Sequence, residues 1–171
     1  MTDQEFYVSI RKMQAGDREG LREVYEAYNT FIYSLTLSVL KNKENAEDVT
    51  TDFFIKLWDI SGTFIERGGH KTWMATIARN MSIDFLRKNV REIATEEMDD
   101  QRTTESAERE ALGTICFADA MKMIDGSEAE IINMKIVGQL TFKEIAEMLN
   151  MPMGTVTWKY QNGIKKLKKV M

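Results

Sequence analysis

From Leu21 onward, apolar side chains recur at steps of three and four: Leu21, Val24, Tyr25, Tyr28, Phe31, Ile32, Leu35 and Val39. That spacing keeps one face of a helix apolar for about five turns, whereas strand faces alternate at every second residue. Asp17 precedes the run and reads as its N-cap, because a short carboxylate there accepts from the free amides of the first turn. After a polar break over residues 41–45, Ala46, Val49, Phe53 and Leu57 form a second stripe, with Phe54 and Trp58 beside it. Ser61, Gly62, Gly68 and Gly69 mark an irregular segment. A third helix is expected over residues 70–89, with Met74, Ile77, Ala78, Met81 and Phe85 inward, and a short leading helix over residues 6–13. Proline removes a backbone donor and breaks helix interiors, and the whole chain contains only Pro152. The fold class read from this pattern is all-α.

Charge divides the chain. Residues 1–95 hold 13 basic and 14 acidic side chains, and residues 111–171 hold 8 and 6. Residues 96–110 hold 2 basic and 7 acidic, with Met98 their one large apolar side chain. A stretch that cannot bury apolar area cannot offset its ordering entropy, so it reads as a linker between two small helical domains. A solvated helix face is the alternative. The net charge of −4 therefore does not describe the parts.

Several functions are set aside early. One Cys, Cys116, excludes an internal disulfide and a cysteine-rich zinc site, and one His, His70, excludes paired-histidine metal motifs. Cys116 lies on an apolar stripe and reads as buried structure rather than a nucleophile. No P-loop or catalytic triad pattern appears, so no enzyme, cofactor or metal is expected. No apolar run is long enough for a signal peptide or membrane insertion, which leaves a cytoplasmic protein as the expectation. With the basic helix ending at Met171, no appended regulatory domain is expected.

The C-terminal part carries the sharpest pattern. Leu112, Ile115, Cys116, Met123 and Ile124 suggest one helix. Ser127 with Glu130 has capping-box spacing before Ile131, Ile132 and Met134, and Gly138 closes that helix. Thr141 with Glu144 repeats the device before Ile145, Ala146, Met148 and Leu149. Asn150 to Pro152 makes a break, and a last helix turns Val156, Tyr160, Ile164 and Leu167 inward. A capped short helix, a tight break and a second helix form a helix-turn-helix, with small Ala146 where the two cross. Residues 158–171 hold five Lys and no acid. Periodicity and capping admit two readings: a DNA reader, or an ordinary helical hairpin with a solvated lysine tail.

Two motifs then resemble those of bacterial RNA polymerase sigma factors of the extracytoplasmic-function (ECF) group. Ala46-Glu47-Asp48-Val49, Asp52-Phe53-Phe54-Ile55-Lys56-Leu57-Trp58, Trp73-Met74-Ala75-Thr76-Ile77-Ala78-Arg79-Asn80 and Asp84-Phe85-Leu86-Arg87-Lys88 are similar to the family's region 2. Thr141-Phe142-Lys143-Glu144-Ile145-Ala146 with Met153-Gly154-Thr155-Val156 is similar to its region 4. With the linker between them the resemblance spans about residues 17–170. It implies a region 2-like domain over residues 1–95, an acidic linker over 96–110 and a region 4-like domain over 111–171.

The resemblance also implies roles. Glu47, Asp48, Asp52, Phe53, Lys56 and Trp58 would dock on core RNA polymerase, whose largest-subunit clamp offers basic partners and whose flap would receive the C-terminal domain. Read without the family, the acids merely solvate an outer helix face. Phe64, Arg67, His70, Lys71, Arg79, Asn80, Arg87 and Lys88 would meet the unwound −10 element of promoter DNA, with Arg91 beside them. Phe64 or His70 would stack on a flipped base, although relatives often carry an apolar aromatic where His70 stands, so His70 reads rather as a packing residue, and Trp73 as core. Met153, Thr155, Thr157, Trp158, Lys159, Gln161, Asn162 and Lys165 would face the −35 element. Relatives usually show Ser and Arg there. Gln and Asn suit adenine where Arg suits guanine, so a less guanine-dependent −35 preference, or weak binding by this unit alone, is expected. The acidic linker, with Glu96, Glu97, Asp99 and Asp100, would thread toward the polymerase cleft in place of nucleic acid. An anti-sigma factor is a further implied partner, with Trp158 and Met153 as apolar contacts. The competing reading is a stand-alone helix-turn-helix regulator with an N-terminal partner-binding domain, which would have no reason to carry both region 2-like patterns.

Overall fold

The computed structural model of the chain describes residues 1–66, 69–96 and 124–170. Seven α-helices and a short 3-10 turn make up its described secondary structure. Arg67, the linker past Glu96 and the helix expected around Leu112, Ile115, Cys116 and Met123 lie outside the described residues.

Helix α1 spans Asp3–Gln14 and starts in a capping box: Thr2 accepts from the Glu5 amide, and Glu5 accepts from the Thr2 amide. Its buried positions, Phe6, Ile10 and Met13, fall one helical turn apart. Helix α2, Arg18–Leu40, begins at Asp17, whose side chain accepts from Glu19, as expected. Its inward stripe holds Val24, Tyr28, Phe31, Ile32 and Leu35. Tyr25 is exposed and its ring meets Phe54 at 4.9 Å. Helix α3, Lys43–Ile60, is capped by Asn42 and buries Ala46, Val49, Phe53, Phe54 and Leu57. The Thr50 hydroxyl donates to the Ala46 carbonyl at 2.6 Å and lies 3.0 Å from the Thr36 hydroxyl, from which it can accept, so the polar atoms between α2 and α3 are partnered. After the turn at Ser61–Thr63, α4 runs from His70 to Glu96, longer than periodicity suggested.

The C-terminal part forms α5 (Gly126–Ile136), α6 (Phe142–Leu149) and α7 (Met153–Val170). The Thr141–Glu144 capping box is present, and Asn150 in the left-handed region makes the break before Pro152. The expected Ser127–Glu130 box is absent. Asp125 caps α5 by accepting from the Ser127 amide and hydroxyl, and Glu130 faces the other way, into the N-terminal part. Ile124 precedes α5 and packs with Ala129, Ile132 and Leu167.

The two parts share one apolar core. Phe31, Ile32 and Leu35 of α2 belong to the same buried cluster as Ile131, Met134, Leu140, Ile145 and Val156. Helix α2 lies against α5, and α4 lies against α6. Gly138 permits this seam: a Cβ there would sit 2.5 Å from the Phe31 ring. Asn133 of α5 donates to the Ser34 carbonyl at 2.7 Å and accepts from the Ser34 hydroxyl at 2.8 Å.

Candidate nucleic-acid interface

Three surfaces carry the residues singled out in the sequence. The first is the outer face of α3. Inward positions at 46, 49, 53 and 57 force Glu47, Asp48, Asp52 and Lys56 outward, and all four are exposed. Phe53 is not on this surface: it is fully buried, because it falls on the inward stripe. Trp58 is half-buried against the core. Ile55 was not singled out, yet it is 59% exposed among the acids. Its signal was available, since position 55 lies midway between the inward positions 53 and 57, about 200° around the helix from each, and so faces away from the core.

The second surface is the segment before α4 and the helix itself. Phe64 packs into an aromatic cluster, with ring centres 5.3 Å from Phe6, 5.7 Å from Tyr7 and 4.8 Å from Trp73. His70 is 3% exposed and stacks on Phe6 at 4.4 Å. One of its ring nitrogens meets the Tyr28 hydroxyl and the other meets the Asp3 carboxylate. Burial draws the imidazole pKa down, against the opposing pull of Asp3. The same burial, with the charges of Asp3 and Glu5, pushes the Tyr28 hydroxyl up to about 12. His70 is thus a core histidine, not a free stacking platform for a base. Asp3 and Tyr28, which hold it, come from elements far away in sequence and carried no local signal.

Farther along α4, Asn80, Arg87 and Lys88 are exposed, and Arg87 lies 3.6 Å from Asp84. Arg79 does not face solvent as expected. Its guanidinium pairs with Glu130 of α5, a residue only 7% exposed. Burial raises the Glu130 carboxyl pKa, and Arg79 opposes that rise. Lys71 is half-buried in a cleft of about 410 Å³ between the start of α4 and the segment before α6.

The third surface is α7. Met153, Thr155, Trp158, Gln161 and Lys165 are exposed, Trp158 at 61%. Thr157 is partly covered and returns its hydroxyl to the Met153 carbonyl. Lys159 and Asn162 differ from expectation. Lys159 donates to Ser127 at 2.7 Å and Asn162 donates to Glu128 at 2.6 Å. Lys166, one turn beyond Asn162, completes the set on Glu128 at 2.8 and 3.0 Å. Positions 159, 162 and 166 share a face that looks at the start of α5, so that face ties the unit together while 155, 158, 161 and 165 look outward. The buried carboxylate of Glu128 is fully partnered by this arrangement.

What these surfaces can do is bind. Among the described residues no group of three or more His, Cys, Asp or Glu is placed to hold a metal ion. No described helix is long and apolar enough to cross a membrane.

Residues 24–92 match the family model for sigma-70 region 2. The ECF RNA polymerase sigma factor BldN of Streptomyces coelicolor is 24% identical over 169 residues, 95% of this chain and 64% of that protein. The ECF RNA polymerase sigma factor SigW of Bacillus subtilis is 27% identical over 175 residues, 94% of this chain and 93% of that protein. Among solved structures, the sigma factor RpoE of Bartonella quintana, in complex with the anti-sigma factor NepR, superposes with a TM-score of 0.69 at 19% identity. That match covers 89% of this chain and 96% of RpoE. CnrH, in complex with the cytosolic domain of CnrY, gives 0.65 at 15% identity, covering 97% and 96%. These two structures share the fold of this chain.

Proposed function

Since the chain belongs to the ECF group of RNA polymerase sigma factors, we propose that it binds core RNA polymerase and directs promoter-specific transcription initiation. The observation that carries this is the pairing of two units in one chain. A region 2 unit displays an acidic, apolar-centred face on α3, and a helix-turn-helix unit displays Thr155, Trp158, Gln161 and Lys165 on α7.

Each surface has a task. Glu47, Asp48 and Asp52 steer α3 onto a basic polymerase surface, and Ile55 supplies the apolar centre that a stable interface needs. Lys71, Asn80, Arg87 and Lys88 of α4 follow the backbone of the opened −10 element, while Arg79 is held by Glu130. The exposed face of α7 enters the major groove of the −35 element, where Gln161 favours adenine. In this reading the chain works in the cytoplasm and leaves nucleotide addition to the core enzyme. An anti-sigma factor, such as the NepR bound to RpoE, is the regulatory partner this reading implies.

Interferometry with immobilised core RNA polymerase tests the docking face. The wild-type chain is expected to bind below micromolar concentration. The double substitution Asp48→Lys and Asp52→Lys is expected to weaken binding at least about tenfold, because it reverses two exposed charges at the contact. Equal binding by both proteins would remove α3 from the interface.

A further inference from the structure

We propose that Ile65 is the apolar side chain that meets an unstacked base of the opened −10 strand, and that helix α1 is the platform that aims it. This deepens the promoter-opening reading given above and rests on it. Neither Ile65 nor any residue of α1 belongs to the −10 set expected from the sequence.

The resemblance offers Phe64 and His70 as stacking groups, and the structure turns both inward. His70 is buried among Phe6, Tyr28 and Asp3. The Phe64 ring packs on Phe6, Tyr7 and Trp73. Phe64 has an extended backbone, with φ −68° and ψ 132°. Side chains alternate sides along extended backbone, so with Phe64 turned in, Ile65 turns out. It is 63% exposed. Exposure alone would say little, since single apolar side chains dot most protein surfaces. The anchoring of its neighbours says more.

Contacts along the whole of α1 hold this segment. Gln14 donates from Nε2 to the Ser61 carbonyl at 3.0 Å. Phe6 and Tyr7 take the Phe64 ring, and Asp3 holds His70 at the start of α4. Arg11 grips Glu66 through Nε and Nη2, each 2.9 Å from a carboxylate oxygen. The residues on both sides of Ile65 are therefore tied to one helix. A bidentate arginine–carboxylate pair sets orientation as well as distance. The Arg11 and Glu66 side chains are 56% and 42% exposed, and pairs so exposed contribute little to folding. The effect of this pair falls instead on where residues 64–66 stand. Helix α1 lies ahead of the residues matched to region 2, so the platform comes from outside that span.

DNA is the occupant that the surroundings favour. The segment leads into α4, whose Lys71, Asn80, Arg87 and Lys88 supply groups for phosphate. An opened strand offers bases as well as phosphates, and aliphatic wedges hold bases unstacked.

The test uses the full chain with core RNA polymerase on linear duplex templates carrying randomised −10 elements. Permanganate reactivity of unpaired thymines reads strand opening, and sequencing of the opened templates reads base preference. Ile65→Ser is expected to lower opening at saturating protein at least about fivefold and to flatten preference at one −10 position, with core affinity changed less than about twofold. Ile65→Leu keeps an apolar wedge and should retain most of the opening. Arg11→Glu should lower opening at least about threefold, and adding Glu66→Arg, which restores the pair with its charges exchanged, should return it to within about twofold of wild type. Urea midpoints should move little in all of these variants, because each change lies on the surface. Unchanged opening and unchanged base preference in Ile65→Ser would overturn the assignment. Weakened core binding by that variant, with normal opening once polymerase is saturated, would also overturn it and move Ile65 to the polymerase interface. A double variant as defective as Arg11→Glu alone would overturn the role of α1. A wild-type chain that opens no template would instead refute the proposed function, and this inference with it.

Discussion

Replacing Phe6 by alanine should be the most damaging single change to the N-terminal unit, and its size follows from the contacts. Phe6 is fully buried. Its ring stacks on His70 at 4.4 Å and meets Phe64, Tyr28 and Trp73 edge-on at 5.3, 6.3 and 6.5 Å. Truncating a buried Phe to Ala typically costs about 3–5 kcal/mol. Four aromatic neighbours place this site toward the upper end, since each ring pair adds about 0.5–1.5 kcal/mol beyond the area it covers. With a urea m-value of about 2 kcal/mol/M, the midpoint should fall by about 2–2.5 M. Function should suffer with stability, because Phe64 and His70, which bracket the segment leading into α4, both rest on this ring. Urea titration followed by circular dichroism and by tryptophan emission measures the shift. A loss below about 0.5 M would refute the reasoning, for it would mean that α1 does not hold the aromatic cluster together.

Three further outcomes follow from the same structure. The folded-state pKa of His70 lies below its ordinary 6.5, so the unfolded chain binds the extra proton first and stability falls as pH drops from 6.5 through the folded value. His70→Phe should flatten that fall in urea midpoints taken between about pH 7.5 and 5.5, and an unchanged slope would place the titration elsewhere. Gly20→Ala puts a Cβ 2.2 Å from the Ser9 carbonyl oxygen, so α1 must move off α2, and thermal melts should show a loss of about 1–3 kcal/mol despite the better helix former. Thr141→Ala removes the cap of α6 and should cost about 1 kcal/mol in chemical denaturation, with a loss above about 2 kcal/mol pointing to more than a cap.

Much of the architecture was legible because it is local. The Asp17 and Thr141 caps act within three residues, and the stripes of α2, α3 and α4 repeat within each helix. Where local signals competed, tertiary contacts decided. Ser127 and Glu130 have the spacing of a box, but Asp125 also fits as a cap, and Glu130 is drawn to Arg79 across 51 positions. Phe53 sits between the exposed Asp52 and Lys56 in its motif, yet its place on the inward stripe outweighs the motif. Asn162 and Lys159 carry the chemistry of base and phosphate readers, and only the position of α5 shows that Glu128 and Ser127 claim them. The seam was not legible at all: Ser34 and Asn133 are 99 positions apart, and Gly138, read as the end of a helix, is needed small because Phe31 packs on it. Phase and capping reveal where helices start and which way they face, but not which face of one unit closes on the other.

The central claim is that this chain confers promoter choice on core RNA polymerase. The most direct measurement is in vitro transcription from linear templates with randomised −35 and −10 elements, with 5′ ends sequenced in the presence and absence of the protein. Transcripts that start at one fixed distance from enriched paired elements, and only when the protein is added, are the predicted result. A transcript profile identical with and without the protein, at concentrations that saturate core polymerase, would contradict it.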